Sequence, residues 1–107
     1  MELEKKTGIS LLLDFYAPML SDRQAEIMQL YYGDDLSLSE VSEITGITRQ
    51  GVRDAVKKSE AILDDCEKRL GLYKKYQSAR KELEKITGAL RKAGVESEII
   101  SRIEELI

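Results

Sequence analysis

Apolar side chains recur along this chain at steps of three and four, the spacing that puts them on one face of a helix. Ile9, Leu12, Leu13 and Tyr16 predict a first helix over Thr7–Tyr16, closed by Pro18. Ser21 followed by Gln24 is a capping-box pattern, in which each side chain satisfies a backbone N–H left open at a helix start. The second helix is expected to run to about Tyr32, turning Ile27, Leu30 and Tyr31 inward, with Gly33 as its left-handed stop. Ser37 and Glu40 form another capping box, and Leu36 with Val41 can staple across it. This third helix ends near Thr45-Gly46. Thr48 then caps a fourth helix, with Ile47 and Val52 placed for a second staple. The two capped starts, Ser37 and Thr48, leave room for a turn of only about three or four residues, which is helix-turn-helix geometry.

The fourth helix has no early stop. Val52, Val56, Ser59, Leu63, Cys66 and Leu70 carry an inward stripe to Gly71. Leu72, Tyr76, Ala79, Leu83, Ile86 and Leu90 repeat the alternation on a fifth helix, which Gly88 weakens and Gly94 ends. A last short helix is expected from Ser97, with Ile99, Ile100, Ile103 and Leu106 apolar. The fold class is therefore all-α: a helix-turn-helix domain over residues 1–70 and a C-terminal helical extension over residues 71–107. The stripes on either side of Gly71 suit an antiparallel hairpin or an intersubunit seam. They lead us to expect a homodimer through the C-terminal helices, with Leu83 and Ile86 near its centre.

Composition narrows the function. The 107 residues contain one proline, one cysteine and no histidine. Cys66 therefore has no internal disulfide partner, and neither a zinc site nor His-based catalysis has ligands or a base to use. No paired carboxylates, activated nucleophile or phosphate-cradling glycine loop is present, so we expect no enzyme, no cofactor and no metal. The N-terminal residues lack a basic stretch leading into an apolar run, and apolar runs such as Leu11–Leu13 are far too short to span a bilayer. A cytoplasmic protein without a membrane span is expected.

Charge is unevenly spread. The net value is -3, with a pI near 5.1, whereas nucleic-acid binders are commonly basic. Residues 1–36 hold three Lys/Arg against seven Asp/Glu, residues 37–60 four of each, and residues 61–107 ten against nine. Between Thr48 and Lys58, however, Arg49, Arg53, Lys57 and Lys58 face only Asp54. A basic stripe lies on an otherwise acidic body.

Each position of the helix-turn-helix has a mechanical reason. Ser42 is small where the two helices cross, Gly46 can take the positive φ of the turn, and Val41, Ile47 and Val52 fill the wedge. Thr48, Arg49, Gln50 and Arg53 project from the start of the second helix, the end that enters the major groove in this motif. Arg can pair bidentately with guanine and Gln with adenine. Lys57 and Lys58, a turn later, are placed for phosphates. These same charges also fit a solvated helix start. Tyr31 and Tyr32 read as packing against the first helix, Asp34-Asp35 and Asp64-Asp65 as surface charges, and Cys66 as a small buried hydrophobe.

The segment LSDRQAEIMQLYYGDDLSLSEVSEITGITRQGVRDAVKKSEAIL, Leu20–Leu63, resembles the helix-turn-helix of sigma-factor region 4. It is more closely similar to the YlxM family of small bacterial proteins. The likeness continues through LLLDFYAPML before it and EKRLGLYKKYQ after it, and rests on DFY, YYGDDLSLSE, TRQGV and RLGLY together. Little is recognisable after about Thr87. The resemblance implies an all-α fold with an elongated C-terminal helical part. It also implies an association, through gene neighbourhood with the proteins Ffh and FtsY, with the signal recognition particle pathway, and a regulatory role there. Thr45 stands where the sigma pattern has Leu, a departure expected to loosen the wedge. Two function classes follow: a DNA-binding regulator, favoured by the Thr48–Lys58 stripe, and an RNA- or protein-binding accessory of the signal recognition particle, favoured by the acidic N-terminal third.

Overall fold

The computed structural model describes residues 2–107, with side chains described from residue 8 onward. Among them are six α-helices and no strand: α1 (Glu2–Tyr16), α2 (Asp22–Met28), α3 (Leu38–Thr45), α4 (Arg49–Leu70), α5 (Leu72–Lys92) and α6 (Ser97–Glu104). The protein is all-α. Its contacts divide it into two units, Met1–Gly71 and Leu72–Ile107.

In the first unit the helix-start signals at Ser21, Ser37 and Thr48 and the stop at Gly46 act where the sequence places them. α1 begins at Glu2, ahead of Thr7, whose side chain lies outside the described residues. It ends at Tyr16, where Pro18 sits in a single tight turn, Ala17–Met19. The Ser21 hydroxyl accepts from the Gln24 N–H at 3.1 Å, and the Gln24 side chain accepts from the Ser21 N–H at 3.0 Å. Ser37 and Glu40 repeat the arrangement at 3.1 and 3.0 Å. Gly46 takes a left-handed φ of 75° and stops α3, and Thr48 accepts from the Gly51 N–H at 3.0 Å to start α4.

The end of the second helix differs from expectation. Regular α-helix stops at Met28, and Gln29–Gly33 widen into a π-turn closed by Asp34 N–H donating to Gln29 C=O at 2.9 Å. Gly33 is not the left-handed stop; Asp35 holds the positive φ, 56°. Leu30, Tyr31 and Tyr32, all within the widened turn, are half-buried and pack against the core. The Tyr31 and Tyr32 rings meet edge to face at 4.9 Å, and burial together with the Glu60 carboxylate, which hydrogen-bonds the Tyr32 hydroxyl, raises the Tyr32 pKa.

The core is formed by Leu13 and Tyr16 from α1, Ile27 and Met28 from α2, Val41 from α3, and the face of α4 carrying Val52, Val56, Leu63 and Cys66. That face is the expected stripe, and α1, α2 and α3 pack against α4. Ser59, within it, is fully buried and donates its hydroxyl to Ala55 C=O at 2.8 Å, so no polar atom is stranded. Leu70, assigned to the stripe, is instead exposed.

In the second unit, α5 packs on α6 through a turn at Gly94, φ 80°. The residues buried in this unit are Thr87 and Ile100. Ile86, which the spacing turns inward, is 52% exposed, and Thr87 takes the inward place with its hydroxyl donating to Glu84 C=O at 3.1 Å. Arg91 pairs with Glu104 at 2.6 Å across the two helices.

Candidate nucleic-acid interface

The turn that aims α4 is fixed by hydroxyls. Thr45 donates to Val41 C=O at 2.8 Å and accepts from the Ile47 N–H at 3.3 Å, while Ser42 donates to Ile47 C=O. Both backbone groups of Ile47 are therefore satisfied from α3. Where a leucine would fill the wedge by bulk, Thr45 spans it with hydrogen bonds to Val41 and Ile47. Gly51 completes the approach: a Cβ there would stand 2.7 Å from Ile47 Cγ2.

With its first turn held, α4 presents Thr48, Arg49, Gln50, Arg53, Lys57 and Lys58 to solvent, all exposed. Arg49, Gln50 and Arg53 come together with Leu38, the first residue of α3, around one shallow concavity. Arg49, Arg53 and Lys57 follow each other at steps of four and form a ridge along the helix. Lys58 lies about 100° around the axis from Lys57, off that ridge. The Thr48 hydroxyl serves as helix cap. Gln50 donates from Nε2 to Asp54 Oδ1 at 3.0 Å, so its carboxamide must leave an internal partner to reach a base. Sequence reasoning missed Leu38 as a participant, and it named Asp54 as the acid of the basic stripe without its bond to Gln50. That bond had a signal, the i, i+4 spacing of Gln50 and Asp54.

The cations of this face differ from the others on α4. Lys68 pairs with Asp64 at 3.0 Å and Arg69 with Asp65 at 2.9 Å, each four residues away. Among the described residues, Arg49, Arg53, Lys57 and Lys58 form no ion pair within 4.0 Å. Their charge is uncompensated at short range, and their N–H donors face water. Such an arrangement can take phosphate oxygens or base edges without first breaking a salt bridge.

A family described as "Putative helix-turn-helix protein, YlxM / p13 like", UPF0122, matches residues 3–104. The chain belongs to this family. UPF0122 members similar to it include YlxM of Bacillus subtilis, 40% identical over 106 residues that cover 99% of this chain and 96% of that protein. The UPF0122 protein of Thermoanaerobacter sp. (strain X514) is 42% identical over 101 residues, covering 92% of this chain and 86% of its own. That of Caldanaerobacter subterraneus subsp. tengcongensis is 51% identical over 78 residues, 73% of this chain and 67% of its own. The UPF0122 match extends past Thr87, where recognisable motifs give out, and so takes in α6. Among the described residues no helix is long and apolar enough to cross a membrane.

Proposed function

We propose that this protein is a DNA-binding regulatory protein that inserts the start of α4 into the major groove. The observation that carries the reading is the solvent-facing cluster of Arg49, Gln50 and Arg53 at the first turns of the second helix of a helix-turn-helix, with no carboxylate among the described residues pairing either arginine. In this reading Arg49, Gln50 and Arg53 contact base edges, Gln50 exchanging Asp54 for a base. Thr48, Lys57 and Lys58 contact phosphates and set the register. The protein acts in the cytoplasm, as a homodimer through its C-terminal helices, and its role belongs to the signal recognition particle pathway.

The test is selection of bound duplexes from a random-sequence pool, followed by titration of the enriched site. Arg49→Ala is expected to cost about 1–3 kcal/mol at that site and to relax its sequence preference. Lys57→Ala should weaken all sequences alike and flatten the slope of log K against log salt by about one unit. A pool that emerges unenriched overturns the proposal.

A second reading, an RNA- or protein-binding accessory of the signal recognition particle, is favoured by the three Lys/Arg against seven Asp/Glu of residues 1–36. An acidic body repels a polyanion away from the α4 face. Pull-down from lysate with and without nuclease separates the two: a protein partner retained after nuclease, with no nucleic acid, supports the second.

A further inference from the structure

We propose that α5 carries a second polyanion-binding surface, a lysine ridge that takes the phosphodiester backbone of a nucleic acid without reading its sequence. The inference does not rest on the α4 reading. Its starting point is charge segregation: α5 holds seven Lys/Arg and two Asp/Glu, in a chain that holds 17 and 20.

The cations are also ordered. Lys74, Lys81, Lys85 and Lys92 follow at steps of seven, four and seven. At 3.6 residues per turn they fall within about 40° of arc, in a row about 27 Å long. Ser78 and Gly88 fill the intervening places, and neither offers a charge or a long side chain to block approach. All four lysines are exposed, on the side of α5 away from buried Thr87. Of the two acids of α5, Glu84 pairs with Arg80 at 3.5 Å, off the row, and Glu82, at its border, pairs with one of its members, Lys85, at 3.4 Å, all on side chains more than half exposed. Lys81 and Lys92 form no ion pair among the described residues.

The chemistry of the row selects its partner. Protein interfaces deplete lysine and centre on apolar or aromatic anchors, and this ridge contains none. A helix lying on a lipid surface sinks an apolar face into it, whereas Gln77, Ser78 and Glu82 border the lysines. Lysine is a strongly hydrated point charge with no fixed geometry, suited to phosphates and poor at discriminating bases. A duplex presents one phosphate charge per about 1.7 Å of axis, so a straight row of lysines meets phosphates in any register.

The experiment uses the full chain, with a random-sequence DNA duplex and a single-stranded RNA of mixed sequence as probes, titrated by fluorescence anisotropy over a salt series. Lys81→Ala with Lys92→Ala removes two charges from the ridge. Lys75→Glu changes net charge equally but lies about 100° off it. The double variant is expected to lose on the order of tenfold in affinity for duplex at low salt and to flatten the salt slope by about 1.8. Lys75→Glu should leave the slope unchanged. The relative affinities of duplex and RNA identify which backbone is preferred. Equal slopes for wild type and the double variant, or equal losses in both variants, overturn the ridge. Arg49→Ala with Arg53→Ala separates this result from the α4 reading. Residual, lysine-dependent binding in that background supports the ridge even where no preferred sequence exists, and complete loss of binding overturns it while leaving the α4 interface standing.

Discussion

The hydroxyl of Tyr16, at the last turn of α1, donates to Glu67 Oε1 near the far end of α4 at 2.6 Å. Tyr16 is almost fully buried, so this bond is both a partner for a polar atom in the core and a link between helices 51 positions apart in sequence. Tyr16→Phe should lower stability by about 1–2 kcal/mol while leaving helix content unchanged. Glu67→Gln should cost less, and the double variant less than the sum, as expected for partners in one bond. Additive losses in thermal melts would show that Tyr16 acts through packing alone.

The capping box at Ser37 has a pH signature. The Ser37 N–H and side chain hold the Glu40 carboxyl below its usual range. A depressed carboxyl contributes stability above its unfolded pKa, near 4.3, and loses it as pH falls through the folded value. Ser37→Ala should lower stability by about 1 kcal/mol at neutral pH. The gap between Glu40→Gln and wild type should narrow below about pH 4. Denaturant melts at pH 7 and pH 3 check both.

Gly46 stops α3 with φ 75° and has open space around it, so only backbone strain opposes a side chain there. A β-branched residue resists this region most. Gly46→Val should therefore destabilise more than Ser37→Ala, and Gly46→Ala by about 1–2 kcal/mol. Equal melting temperatures for Gly46→Val and wild type would contradict this.

Assembly can be tested at the second unit, where Ile86 is 52% exposed and Ile99 48%. If the C-terminal helices form a two-fold dimer, Ile86→Lys should convert it to a monomer by light scattering, with circular dichroism unchanged. A monomer mass for wild type at high micromolar concentration rules the dimer out.

Features written into a few adjacent residues were legible in the sequence. Capping boxes, the Gly46 stop and the Thr48 cap depend on atoms within four positions, so the residues themselves declare them. The inward face of α4 was legible for the same reason, down to Ser59. Long-range choices were not. The phase of α5 is decided by α6, and Thr87 could replace Ile86 inside because its own helix absorbs its hydroxyl. Bonding partners were less legible: Thr45 bridging Val41 and Ile47 was hidden, and Gln50 meeting Asp54 was signalled only by its i, i+4 spacing. The candidate site was thus readable as a set of exposed residues, not as the contacts that restrain them.

α4 is a single uninterrupted helix from Arg49 to Leu70, and its start and its buried stripe share one backbone. Turning Arg49 and Arg53 about the axis would drag Val52, Val56 and Leu63 out of the core. The azimuth of those arginines is therefore set when the chain folds, and the backbone entropy of α4 is surrendered then and not at an encounter with a partner. Only side-chain freedom is left to be quenched on docking, which favours a partner whose groove already has the matching pitch and penalises one that must be followed around a bend.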